Sequence, residues 1–195
     1  YYATIQAAID AATTTNGEVL EVCAGTYSEN VTVNKELTIN GPQDNVDPDT
    51  RFAAFTGGPA NPKASPLLEA ILTTPTNSPT AGNPNANDLI RVLANNVTIN
   101  GLVLDGNNPT LGVSAVTDGG VVNIHARRGI TNITNVNGFS PVSNLNVQYN
   151  IIQNVAQRGI SLANNGPVST GNLITENVIR HFGYDPTNGG QAVIL

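Results

Sequence analysis

The chain has 195 residues, enough for one domain with a buried core, yet only 11% of them are charged and the net charge is −6. With two lysines, Lys35 and Lys63, it is too poor in cations to bind nucleic acid, where phosphate contacts call for clustered Lys and Arg. No apolar run approaches the roughly 18 residues that span a bilayer, so no membrane span is expected.

Solubility therefore rests on neutral polar groups, 28 asparagines among them. The apolar set is Val, Ile, Leu and Ala, with few aromatics and no Trp, and its β-branched members favour strands. Abundant Gly, Pro, Asn and Thr point to many short strands joined by turns. Cys23 is the only cysteine. It has no internal disulfide partner and no zinc-like Cys/His spacing around it. Its place in the apolar run Val19–Cys23 predicts a buried structural thiol. The chain starts without an initiating Met or a signal peptide, and it reads as a mature or trimmed product of an exported protein.

From Ala3 to Thr15 the spacing of Ile5, Ala8, Ile9 and Ala12 predicts a helix, with Thr4 as N-cap and Asn16-Gly17 as the stop. Its small apolar face suits a lid. Strands follow over Glu18–Val22, Val31–Val33 and Leu37–Ile39, with turns at Gly25-Thr26-Tyr27 and Asn40-Gly41-Pro42. Residues 43–88 are rich in Pro, Asn, Gly and Thr. They read as a long excursion carrying one strand in the apolar patch Leu67–Leu72. Strands are expected over Leu89–Leu93, Val97–Leu104, Val121–His125 and Ile130–Ile133. Leu145–Val155, Ile160–Leu162, Leu173–Phe182 and Ala192–Leu195 continue the series.

Some of these pieces recur. Asn150-Ile151-Ile152 matches Asn177-Val178-Ile179 at 27 residues, and Gly129-Ile130 returns as Gly159-Ile160 at 30. Gly190 opens a third such strand 31 residues on. A period of this length without helices predicts stacked strand layers in parallel register, about 4.8 Å apart. Like residues then lie over like residues, and Asn150 and Asn177 are the expected amide ladder.

The segment from Tyr2 to Ala12 and the run Val22-Cys-Ala-Gly-Thr-Tyr-Ser-Glu-Asn-Val-Thr-Val33 resemble the opening of the pectin-lyase-like superfamily. The resemblance covers residues 2–42. It implies an all-β, right-handed parallel β-helix (a solenoid) with an N-terminal capping α-helix. On that expectation residues 1–195 form one domain, with 1–17 as the cap, 43–88 as the excursion and 89–195 as regular coils. About five or six coils are expected. The uncovered last strand suggests that the natural protein continues with more C-terminal coils.

The superfamily includes polysaccharide lyases, hydrolases and esterases as well as large bacterial surface proteins, so the resemblance does not fix an activity. Gly25, Tyr27 and Glu29 look like one pectinesterase motif and Gln191-Ala192-Val193 like another. The catalytic aspartates of that family have no counterpart before Leu195, and no catalytic residue is assigned. Calcium would need six to eight oxygens, and the available Asp105, Asp118 and Asp185 are dispersed. No metal site or cofactor is therefore expected.

Arginine gives the better indication. Arg128 and Arg158 both precede Gly-Ile at the 30-residue interval, and Arg180 and His181 follow another strand. Such a row could hold the carboxylates of an acidic polysaccharide or other surface glycan, although solvated turn residues fit the pattern too. His125 and His181 each lack a sequence neighbour that would make a general base. Asn30, Asn96 and Asn132 match the glycosylation triplet. The expectation is a structural or adhesive, carbohydrate-contacting module of a large secreted or cell-surface protein. The alternative is a pectate-lyase-like or pectinesterase-like enzyme whose site is completed by further coils.

Overall fold

The computed structural model describes residues 1–11, 13–58, 61–79, 87–120, 122–135, 138–163, 169–185 and 190–194. Ala12, Val121 and Leu195, which figured in the expected elements, lie outside the described residues. A first helix, α1, covers Ile5–Asp10, and a second, α2, covers Pro48–Arg51 with a 3-10 turn at Phe52–Ala54. The strands in chain order are β1 (Glu18–Glu21), β2 (Gly25–Ser28), β3 (Val31–Val33), β4 (Leu37–Asn40), β5 (Ala70–Thr73) and β6 (Asp88–Val92). Then come β7 (Thr98–Asn100), β8 (Val103–Asp105), β9 (Val116–Asp118), β10 (Val122–Ile124), β11 (Ala126–Thr131) and β12 (Ile133–Asn135). The last are β13 (Gly138–Phe139), β14 (Asn146–Gln148), β15 (Ile151–Ser161), β16 (Leu173–Thr175), β17 (Val178–Phe182) and β18 (Gln191–Ile194).

The sheets correct the expected architecture. Among the described residues the regular structure is mostly sheet with two short helices, but it does not form a clear right-handed β-helix. The parallel strands fall into two separate sheets. One has five strands in the order β1-β4-β7-β14-β16. The other has nine and curves as a parallel half-barrel, along β2-β5-β8-β15-β11-β6-β3 with β17 and β18 also on β15. Two further pairs, β9 with β10 and β12 with β13, are antiparallel. The physical reason is that a 27–31-residue recurrence fixes which residues lie opposite each other. It does not fix how the sheets close, and the two antiparallel pairs and the 43–88 excursion interrupt any uniform winding.

Parallel register itself is pronounced. Ile39, Ile99, Val147 and Ile174 align across the smaller sheet, and Leu72, Leu104, Ile152 and Ile179 across the larger one. One core cluster takes buried residues from both sheets, including Ile39, Ile99, Leu104 and Ile152. Neighbouring positions in the larger sheet point the other way. There Ile71, Val103 and Ile151 form a second cluster, covered by Phe52, Phe55 and Ala64 of the excursion. The excursion thus packs as a cover on the sheet's outer face, and its strand β5 lies between β2 and β8.

Corners between the sheets explain the asparagines. Gly101, Tyr149 and Glu176 each take a positive φ (72°, 54° and 51°) directly after the register-matched Asn100, Gln148 and Thr175. At Gly101 a side chain would also run into the backbone of Asp44, so glycine is required there. The next residues in the later corners are Asn150 and Asn177. Asn150 Oδ1 accepts from Leu102 N (3.0 Å) and Asn177 Oδ1 accepts from Asn150 N (3.0 Å). Side-chain amides thereby continue the backbone ladder where the strands turn.

Helix α1 is shorter than expected, ending at Asp10 rather than before Asn16, and its ends are satisfied from the sheet. Glu29 accepts from Ile5 N (2.8 Å) and Gln6 N (2.9 Å). Thr4 Oγ1 caps Ala7 N, and Lys35 Nζ donates to the carbonyls of Ile9, Ala11 and Thr14. Gln6 behaves as a peptide unit beside β3, since its amide exchanges hydrogen bonds with Thr32 N and O. Ile5 and Ile9 join the core. Gly25-Thr26-Tyr27, expected as a turn, lies in strand β2, which pairs residue for residue with Ala70–Thr73. Cys23 is exposed, not buried, since it falls just beyond β1 where the chain turns toward β2.

Candidate functional site

The larger sheet gathers an arginine cluster around one carboxylate. Asp88 lies opposite Arg128, Arg128 opposite Arg158, and Arg158 opposite Gln191, on four neighbouring strands. Leu89 and Ile90 are consecutive and both buried in the core, so the pleat is interrupted at this point. Gly129 and Gly159 lie against the core side chains of Ile152 and Ile179, where no larger residue fits.

Arg127 grips Asp88 side-on, through Nε to Oδ1 (3.3 Å) and Nη2 to Oδ2 (3.2 Å). Arg128 Nη1 adds a contact to Oδ2 at 3.4 Å. Arg91 and Arg158 are near enough for their charges to act on this pair, and both are half-buried. Arg158 has no carboxylate partner among the described residues, and its buried Nε makes no hydrogen bond.

Asp88 is the carboxylate that Arg127 and Arg128 meet directly, and the charges of Arg91 and Arg158 reach this pair. Burial pushes the Asp88 carboxyl up to about 7, against the pull of Arg127 and Arg91. Burial likewise lowers Arg127, a shift that Asp88 opposes and Arg158 and Arg91 reinforce. Arg158, without a carboxylate partner among the described residues, is the guanidinium that an anionic group can engage bidentately.

The other expected site residues stand apart from this cluster. Arg180 belongs to a second ladder, opposite Gln153, which lies opposite Asp105. Its Nη2 and Nε donate to Gln153 Oε1 (2.6 and 3.0 Å), and its guanidinium lies 3.7 Å from the centre of the Phe52 ring. Burial lowers its pKa to about 10 against the pull of Asp105. Asp105 is buried and raised by desolvation, with Asn154, Asn107 N and Gln153 donating to it. His181 turns elsewhere, with Nδ1 2.6 Å from Asp118 Oδ2. Tyr184, raised to about 12 by burial and by its bond to Asp118, completes that group. Asn150 and Asn177 form the corner ladder described above.

His125 is buried, with Nδ1 accepting from Asn108 N (3.1 Å) and Nε2 facing Gly112 O (2.8 Å). Both ring nitrogens are therefore occupied. Asn132 is buried, and its amide donates to Ser140 O and Ala163 O, which leaves it unsuited to carry a glycan. Asp105, Asp118 and Asp185 are spent on separate partners. Among the described residues no group of three or more His, Cys, Asp or Glu is placed to hold a metal ion. No helix among them is long and apolar enough to cross a membrane.

Sequence reasoning missed Asp88, Arg91 and Arg127 in the cluster. Asp88 had been placed at the end of the excursion, whereas it opens β6. The signal was an acid 40 residues before Arg128, legible only once the β6–β11 register is known. Also missed was the buried pair Arg51–Glu69 (2.6 Å), which ties the excursion to the sheet while Arg51 Nη1 donates to Tyr149 O. No protein-family model, no curated protein and no solved structure matches this chain.

Proposed function

We propose that the chain is a structural or adhesive module of an exported, cell-surface or secreted protein, and that it contacts an acidic polysaccharide through the register-matched Arg128 and Arg158. One observation carries this reading: Arg128 and Arg158 lie in register on adjoining parallel strands, and Arg158 has no carboxylate partner among the described residues. Parallel strands set such residues about 4.8 Å apart, so successive acidic groups of one polymer can be held in line. The export element rests on composition: few charges, many asparagines and a single cysteine.

The test is affinity electrophoresis of the protein through gels containing polygalacturonate or neutral dextran. Retardation by polygalacturonate alone is expected, weakening steeply with salt and lost in Arg158→Gln. Equal migration in both gels sinks the reading.

A second reading, a polysaccharide-active enzyme, draws on Asp88. A carboxyl raised to about 7 beside arginines has the protonation range of a general acid. Incubation with polygalacturonate or its methyl ester, with and without calcium, distinguishes the two. Unsaturated products or methanol, abolished by Asp88→Asn, select the enzyme, and intact polymer selects the binding module.

A further inference from the structure

Away from the arginine cluster, the outer face of the larger sheet holds a pocket of about 220 Å³ at the margin of the excursion. Its floor spans the adjoining strands β2, β5 and β8 through Thr26, Ile71, Thr73 and Asp105. The excursion contributes Lys63, Ala64 and Pro66, and the segment after β8 contributes Asn107 and Pro109. The sheet places these side chains together for a simple reason. Thr26 lies opposite Ile71, and Thr73 is two residues further along the same pleated face.

Three properties define what fits. The volume matches about seven waters, hence one small ring and not a chain. Ile71, Pro66 and Pro109 offer an apolar wall, while Thr26, Asn107 and Lys63 offer hydrogen-bonding groups beside it. Thr73 is 2% exposed and its Oγ1 has no hydrogen-bond partner. A buried hydroxyl without a partner is uncommon in a folded protein and calls for an explanation. Of its neighbours, Asp105 already accepts from Asn107 N, Asn154 and Gln153, and Ser28 Oγ donates to Thr74 O.

We propose that this pocket binds a single neutral pyranose ring, laid with its C–H face on Ile71 and the prolines and with a hydroxyl supplying the missing partner of Thr73. A ring hydroxyl both donates and accepts, as the threonine hydroxyl does. The alternation of C–H and O–H groups around a pyranose matches a wall that is apolar on one side and polar on the other. The inference is independent of the arginine cluster, which has no hold on an uncharged sugar.

The experiment is saturation-transfer difference NMR on the whole chain with methyl glucoside, methyl galactoside and methyl mannoside. At least one is expected to give a saturable signal. Thr26→Trp, which places an indole in the pocket mouth, abolishes it. Thr73→Val removes one hydrogen bond and weakens it about tenfold. Thr73→Val also leaves the unfolding midpoint close to that of the wild type, because the hydroxyl it removes has no hydrogen-bond partner among the described residues. Absence of signal with all three glycosides, or binding unaltered in either variant, overturns the proposal.

Discussion

Replacing Asn150 with alanine tests the corner ladder most directly. The side chain is fully buried and makes four hydrogen bonds. Nδ2 donates to Ile99 O (2.9 Å), Gln148 O (2.8 Å) and Asn177 Oδ1 (3.0 Å), while Oδ1 accepts from Leu102 N (3.0 Å). Orphaning the buried Leu102 N–H costs about 2 kcal/mol, and each of the three other bonds contributes about 1 kcal/mol net. The expected loss is about 5 kcal/mol, a large part of the roughly 5–15 kcal/mol that usually holds a domain together. Urea unfolding followed by far-ultraviolet circular dichroism measures it. Asn177→Ala, at a half-buried position, is expected to cost less. Asn150→Asp keeps the acceptor for Leu102 but sets a carboxylate against two carbonyls, so it too destabilises at neutral pH. A loss below about 1 kcal/mol for Asn150→Ala, or a larger one for Asn177→Ala, refutes the ladder as a source of stability.

Three further outcomes are expected. Glu69→Ala strands the buried Arg51 charge and costs about 3–5 kcal/mol in urea unfolding, whereas the double change Arg51→Met with Glu69→Leu recovers most of it. Gly129→Ala places a methyl carbon 2.6 Å from Ile152 Cγ2 and against Gly159 O. It lowers stability by about 1–3 kcal/mol, while Gly112→Ala, which meets open space, leaves thermal unfolding unchanged. The Asp88 carboxyl, raised from 3.8 to about 7, favours its neutral form in the folded state. Its contribution is therefore complete below about pH 4 and is lost as pH rises through 7, by up to about 4 kcal/mol relative to Asp88→Asn. Urea titrations of both proteins from pH 4 to 8 measure this, and a wild-type advantage that grows with pH contradicts it.

Strand positions were legible because aliphatic runs bounded by Gly, Asn and Pro carry their own boundaries: Val31–Val33 was read to the residue. The recurrence of Gly-Ile and Asn-(Ile/Val)-Ile also told which residues would face each other, as Arg128 with Arg158 and Ile151 with Val178. Closure of the sheets was not legible. It depends on the curvature of a nine-stranded sheet and on antiparallel insertions such as Val116–Asp118, whose partner Val122–Ile124 gives no pairing signal in composition. β2 was taken for a turn because its partner β5 comes about 45 residues later, beyond the reach of local propensity. The arginine cluster was half visible, since periodicity exposes register-matched pairs but not Arg127, whose guanidinium reaches sideways to Asp88. Pocket and ion pair on the outer face were hidden for the same reason, because the excursion has no period to align it.

The six-residue helix at the N-terminus has one more implication. So short a segment has no stability of its own in water, and its capping groups, Glu29 and Lys35, come from chain that must already be in place. Its amide protons therefore act as a gauge of the neighbouring strands. In hydrogen exchange they surrender protection whenever β3 loosens, well before the deeper layers around Ile99 and Ile152 open to solvent.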